Sequence, residues 1–378
     1  MEIKSELERI YGPIKEDLRM VEKRLYDLVP ADLDPISTVE KYILDNGGKR
    51  LRPALVLLSL RAVRPAIAWD TDAKNDQPSD ASILGRAVAF AAAAELIHTA
   101  TLVHDDLLDG SMLRRGHGTI NYKWGNEIAV LLGDHMYLKA TEILTSESIL
   151  NPDELEDFRR VYRASNLMLQ TAAKIFKGEV LQHRKRGKLA TSEDDYFSII
   201  KGKSASFISA CCTIGALLDG DNCPGADQRL ASYGLNLGMA FQIRDDILDL
   251  MGDEEQIGKA TGSDLKEGRM TLPVIHLIAN AGNGEREYIE SVLGSSSKKN
   301  SLFRRWRRNS HGDNHNGFDK KHLQHIRKLM LDNGSIDYSM NIASNFAQAA
   351  KGDLKEIPDS NAKQSLLYLA DHVMLREN

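Results

Sequence analysis

The sequence predicts an all-α protein, a single-domain bundle of ten or more helices spanning residues 1–378, and three observations carry that expectation. Apolar residues recur with helical period over long stretches. Prolines are few, and most of them, including Pro30, Pro35, Pro152, Pro224 and Pro358, fall between those stretches, where helices stop. Alternating strand patterns closed by Asn-Gly or Asp-Gly turns are nearly absent, which argues against a sheet.

Taken in order, Leu84–His104 is rich in alanine and leucine, the strongest helix formers, and contains no proline. Gly125–Leu144, Arg160–Gln182, Tyr196–Leu218 and Ala226–Met251 follow with the same periodicity. Two segments break the pattern. Arg64–Ser82 carries Pro65, Pro78 and several aspartates and reads as an exposed loop near 64–82. Gly294–Lys321 is Ser-rich and then basic around Leu302, Phe303 and Trp306, an insertion near 294–321 that reads as solvated rather than as a membrane or nucleic-acid surface. No repeat of fixed period appears.

The bulk numbers bound the class. A chain of 378 residues with 42% hydrophobic and 27% charged residues can bury a substantial core. With 54 acidic against 49 basic residues, the net charge of −5 points to no nucleic-acid partner. Three cysteines, two of them adjacent at Cys211 and Cys212, make no disulfide framework and suit a reducing compartment. The N-terminus has no apolar signal core, and no unbroken apolar run is long enough to span a bilayer. The expected location is the cytoplasm.

Chemistry concentrates in two clusters, Asp105-Asp106-Leu-Leu-Asp109 and Asp245-Asp246-Ile-Leu-Asp249. On a helix, residues four apart share a face, so each cluster gathers like charges that repel unless compensated. Hard oxygen donors so arranged suit Mg²⁺, which commonly bridges carboxylates to phosphate oxygens. One copy is weak evidence; two copies with the same spacing, each ending a long apolar helix, suggest two walls that share cations. Basic residues accompany them: Lys49, Arg50 and Arg52 beside a flexible glycine pair, Gly47-Gly48; Arg114-Arg115 after the first cluster; Lys259 and Arg269 beyond the second. Carboxylates and cations in one site suit a polyanion held partly through metal and partly through direct contacts. His98 lies two helical turns before Asp105 and therefore on the same face.

These residues resemble the all-trans isoprenyl diphosphate synthases, of long-chain type. The resemblance runs through Gly48-Lys49-Arg50-Leu51-Arg52-Pro53, Glu95 to Asp109, Leu113-Arg114-Arg115-Gly116, Gly178-Glu179, Lys203-Ser204-Ala205, Gly238 to Asp246 and Gly258-Lys259 to Asp264, in the family's order from about residue 40 to 280. It implies an isoprenoid-synthase bundle around a deep central cavity, a homodimer, and transfer of a prenyl group. Isopentenyl diphosphate would be condensed head-to-tail (1'-4) onto an allylic diphosphate such as farnesyl or geranylgeranyl diphosphate. By resemblance, Asp105, Asp106, Asp109, Asp245, Asp246 and Asp249 hold up to three magnesium ions with the diphosphate. Lys49, Arg52, His98 and Arg115 bind isopentenyl diphosphate. Arg114, Lys203, Gln242 and Lys259 bind the allylic diphosphate, and Lys203, Ser204, Gln242, Lys259 and Arg269 serve catalysis. Ser204 stands where the family commonly has Thr, and Arg269 where many members have Lys; both keep the essential group.

In the family, bulky residues one turn before the first cluster stop elongation early. Ala100 and Thr101 are small, so the expected product is C25 or longer, with peripheral membrane contact for its release. The alternatives are a farnesyl or geranylgeranyl diphosphate synthase, a class I terpene cyclase, and a non-catalytic subunit of a heteromeric synthase. The repeated aspartate cluster argues against the cyclase, and retention of every carboxylate and basic residue argues against the inactive subunit.

Overall fold

The computed structural model describes residues 8–30, 33–67, 80–146, 155–219, 223–252, 261–297 and 320–375. Helices dominate it. They run Lys15–Asp27, Ile36–Asp45, Leu51–Val63, Asp80–Asp109, Ile120–Trp124, Asn126–Thr145, Leu155–Lys185, Glu193–Ile200, Ser206–Asp219, Ala226–Met251, Ser263–Lys266, Leu272–Asn280, Asn283–Ser297, Lys320–Asp332, Ser335–Asp353 and Asn361–Leu375. Among the described residues the strands are one two-residue hairpin, Leu113–Arg114 against His117–Gly118. Most of the loop expected at 64–82 and of the insertion expected at 294–321 lies outside the described residues. At their edges, helices already begin at Asp80 and Lys320.

Contacts divide the chain into two compact units, residues 1–173, 206–236 and 349–372, and residues 174–205, 237–348 and 373–378. In the first, Leu51–Val63 is buried on every side, with Ala54, Leu55, Val56, Leu57, Leu58 and Leu60 sealed from water. Each such leucine contributes about 1.5–3 kcal/mol. It packs on Ser206–Asp219 and on Asp80–Asp109, which also receives Asn126–Thr145 and Lys15–Asp27. Asp80–Asp109 is long and apolar enough by composition to cross a membrane, although Arg86, Glu95 and His98 interrupt its apolar run. Here it is the core helix of its unit, and its alanines from Ala91 to Ala94 let neighbours approach closely. Cys211 and Cys212 are buried free thiols, and burial pushes Cys211 up to about 12, so both stay protonated.

In the second unit, Leu272–Asn280 packs against Glu193–Ile200 and Lys320–Asp332, and Asn283–Ser297 also lies on Lys320–Asp332. His276 ties this together: its Nδ1 meets Ser335 Oγ at 3.0 Å and its ring stacks on Tyr338 at 4.3 Å between centroids. Tyr338 in turn donates to Glu193 at 3.0 Å.

Two glycines of the first unit separate close approach from mere helix weakness. A Cβ on Gly215 would lie 2.3 Å from the Val56 carbonyl oxygen and 2.8 Å from the Leu60 nitrogen, backbone that cannot move aside. A Cβ on Gly85 would touch nothing. Gly215→Ala should therefore destabilise by about 1–3 kcal/mol, overpacking outweighing the gain in helix propensity. Gly85→Ala should stabilise by roughly 0.5–1 kcal/mol. Urea denaturation of the two variants checks both signs.

Candidate active site

The candidate residues fall in both units. In the first unit, Asp105-Asp106-Leu-Leu-Asp109 closes the helix Asp80–Asp109, where unpaired carbonyls and the negative end of the helix dipole repel carboxylates. Asp106, 6% exposed, is paired: Arg114 donates from Nε to Oδ2 at 2.7 Å and from Nη2 to Oδ1 at 2.8 Å. The hairpin supplies Arg114, and its turn places Arg115 (φ 51) and Gly116 (φ 79) in the left-handed region. Thr119 and Asn121 anchor the hairpin by donating to the Ser111 carbonyl at 2.6 and 3.0 Å. Asp105 and Asp109 remain partly exposed.

On the same helix His98 is partly buried. Lost hydration, and then the charges of Arg52, Arg115, Arg114 and Arg50, hold its pKa well below the usual imidazole value. His98 is therefore a neutral donor in a cationic corner. Thr101 donates to the His98 carbonyl at 2.6 Å, and Ala100 is fully buried. Gly133 on Asn126–Thr145 makes room for His104, whose Nε2 would lie 2.1 Å from a Cβ there.

Gly47 and Gly48 have a reason other than flexibility. A Cβ on Gly47 would sit 2.4 Å from Arg50 Nη2, and one on Gly48 would sit 2.3 Å from Arg115 Nη1. Two guanidiniums fold over this pair. Arg50, named among the basic residues but given no role from sequence, organises the corner. From a left-handed backbone (φ 50) it donates from Nε to Glu22 at 2.6 Å and from Nη1 to Glu95 at 2.8 Å. Glu95, 4% exposed, belongs to the same helix as His98, and a lone carboxylate in that alanine-rich run was the available signal for a buried cation. Tyr11 donates to the Lys49 carbonyl at 2.8 Å, so the segment bearing Lys49 and Arg52 is tied down on both sides. The Lys49 side chain is exposed, and Arg52 lies 5.1 Å from the centre of the Phe207 ring.

In the second unit, Asp245-Asp246-Ile-Leu-Asp249 occupies the last turns of Ala226–Met251. Asp246 and Asp249, each 6% exposed, are fully engaged by protein donors. Asp246 accepts from Tyr196 Oη at 2.7 Å and from Gln242 Nε2 at 2.9 Å. Burial and then the charge of Asp264 raise its pKa well above the carboxylate range, against the pull of those two hydrogen bonds. Asp249 holds the turn that follows: Ser263 Oγ donates to it at 2.5 Å and the Asp264 amide at 3.0 Å. Arg269 pairs with Asp264 at 3.0 Å and Glu267 at 2.8 Å. Asp245 is partly exposed. Lys259 lies outside the described residues.

Lys203 and Ser204 occur in a five-residue π-helical turn, Lys201–Ala205, a geometry found disproportionately at functional sites. Two glycines seat it. A Cβ on Gly178 would lie 2.6 Å from the Lys203 nitrogen, and one on Gly238 would lie 2.6 Å from Ala205 Cα. Lys203 pairs with Glu179 at 2.5 Å, and Ser204 donates to Gln242 at 2.9 Å.

Among the described residues, no three His, Cys, Asp or Glu side chains converge closely enough to hold a metal ion unaided. Within each unit, the partly exposed carboxylates, Asp105 and Asp109 in the first and Asp245 in the second, nevertheless suit a hard cation that takes its other ligands from phosphate and water. Arg50→Met should strip Glu95 of its cation and lower the unfolding free energy by about 3 kcal/mol in urea denaturation. Adding Glu95→Leu to that variant should restore part of the loss.

The polyprenyl synthetase family pattern matches residues 34–307. A short chain isoprenyl diphosphate synthase of Methanothermobacter thermautotrophicus is 31% identical over 361 residues, covering 95% of this chain and 96% of that protein. The octaprenyl diphosphate synthase of Escherichia coli is 29% identical over 371 residues, covering 98% and 99%. A polyprenyl synthase structure from Caulobacter crescentus, complexed with calcium and isoprenyl diphosphate, superposes with a TM-score of 0.78 at 30% identity over 98% of each chain. With its pattern spanning well over half the chain and its relatives aligned nearly end to end, this chain belongs to the polyprenyl synthetase family, a family of prenyltransferases.

Proposed function

We propose that the protein condenses isopentenyl diphosphate head-to-tail onto an allylic diphosphate, with magnesium, to give an all-trans polyprenyl diphosphate of C25 or longer. The observation that carries this is the helix Asp80–Asp109, which ends in partly exposed carboxylates and presents neutral His98 among guanidiniums two turns earlier. One helix thus offers a metal end and an anion end.

Magnesium, when bound with the allylic diphosphate, neutralises the charge that the leaving group develops. Lys49, Arg52 and Arg115 hold the isopentenyl diphosphate, and His98 donates to it without adding repulsion. Arg114, braced by Asp106, and Lys203 stabilise the departing pyrophosphate, with Lys259 expected beside them. The allylic C1–O bond breaks, C4 of isopentenyl diphosphate bonds to C1, and the proton on C2 leaves to the released pyrophosphate. In this reading both aspartate clusters serve the metal-bound allylic diphosphate, supported by family membership and their common spacing.

A homodimer in the cytoplasm, with peripheral membrane contact for product release, completes the proposal. Leu131 and Leu138, 56% and 69% exposed and seven apart on Asn126–Thr145, offer an apolar stripe for a second copy. A second reading, a product of C20 or shorter, is favoured by the similarity to the short chain synthase. The purified chain, incubated alone with farnesyl diphosphate, labelled isopentenyl diphosphate and Mg²⁺, decides between them by product chromatography. C25 or longer supports the first reading, C20 the second, and no labelled prenyl product sinks the autonomous enzyme. Ala100→Phe should shorten the product, by filling the position one turn before Asp105; unchanged length would count against the open-cavity argument.

A further inference from the structure

Tyr196 belongs to none of the residue sets that the proposed chemistry uses, yet it terminates a hydrogen-bond chain that reaches two of them. It is 3% exposed and sits on Glu193–Ile200, the helix that runs directly into the π-helical turn. A reciprocal cap fixes the start of that helix: the Asp195 amide donates to Ser192 Oγ and the Ser192 amide to Asp195 Oδ2, each at 3.2 Å. From there the Tyr196 hydroxyl donates to Asp246 Oδ2, Gln242 Nε2 donates to Asp246 Oδ1, and Ser204 Oγ donates to Gln242 Oε1. Every donor in the chain points toward Asp246. Gln242 turns its amide nitrogen to Asp246 and its oxygen to Ser204, so its contact with Asp246 fixes which way the amide faces. A hydroxyl has one proton. Ser204 gives its proton to Gln242, which leaves only lone pairs on the rest of its oxygen, the polarity that suits a developing allylic cation.

We propose that Tyr196 is a positioning residue for prenyl transfer: by holding Asp246 it fixes the Gln242 amide and the Ser204 hydroxyl in the orientation that faces the allylic substrate. The inference rests on the function proposed above. It assigns Asp246 to the support of neighbouring side chains, apart from whatever it does near a metal.

Tyr196→Phe keeps the ring and removes only the donor. In steady-state kinetics with farnesyl and isopentenyl diphosphates at saturating Mg²⁺, kcat should fall about tenfold or more, as expected when a buried hydrogen bond is lost and the groups behind it shift. The KM for isopentenyl diphosphate should stay within about twofold and the melting temperature within a few degrees, because the ring packing and the isopentenyl-binding residues are untouched. Combining Tyr196→Phe with Ser204→Ala should cost no more than the worse single change, the signature of one coupled chain. Unchanged kcat, additive losses, or a melting temperature that drops while kcat per folded enzyme holds would each overturn the proposal. A crystal structure of the Tyr196→Phe protein tests the network apart from activity: Gln242 should reorient away from Ser204, and an intact Ser204–Gln242–Asp246 chain overturns the claim. A wild-type chain with no prenyl transfer defeats the proposed function instead, and the variant structure still decides what Tyr196 holds.

Discussion

A carboxylate at the C-terminal end of a helix meets the negative end of the helix dipole, and both aspartate clusters of this protein sit there. Around these positions some carboxylates are buried against protein donors and others stay partly open to solvent. Arg114 grips Asp106 with two bonds, Tyr196 and Gln242 share Asp246, and Ser263 with the Asp264 amide holds Asp249. Asp105, Asp109 and Asp245 are the partly exposed members. Within one shared motif, each cluster thus combines buried carboxylates held by protein donors with partly exposed ones. A hard cation arriving with its own anionic ligand would relieve the repulsion between carboxylates gathered at a helix end.

The same logic governs the cationic corner of the first unit. Arg50 lies between Glu22 and Glu95, so this one guanidinium is spent on structure. His98, under four guanidinium charges, stays neutral. The corner thus keeps its supporting ion pairs on Arg50, apart from the cations of Lys49, Arg52 and Arg115.

Close approach is the second constraint. Gly47, Gly48, Gly133, Gly178, Gly215 and Gly238 each occupy a place where a methyl group would strike a guanidinium, an imidazole or backbone. The π-helical turn bearing Lys203 and Ser204 sits between two such glycines, which shows why an irregular turn can persist inside an otherwise regular helical protein. Packing at this range leaves little freedom for the side chains that the turn presents.

The sequence by itself determined the helical class, the bounds of four long helices to within about five residues, and the positions of both aspartate clusters. Each follows from periodicity and spacing along one element, and a helix transmits those locally. Leu84–His104 widened to Asp80–Asp109 and Ala226–Met251 kept its limits, whereas Tyr196–Leu218 divided at a π-helical turn that no periodicity announces. The small hairpin carrying Arg114 was likewise too short to leave a pattern. Only the tertiary structure decided which partners the motif residues meet. Tyr196 and Asp246 are 50 positions apart, and Arg50 and Glu95 are 45 apart, so their pairing depends on how helices pack. Motif spacing reports which groups share a face; it carries no record of the partner that the fold brings to meet them.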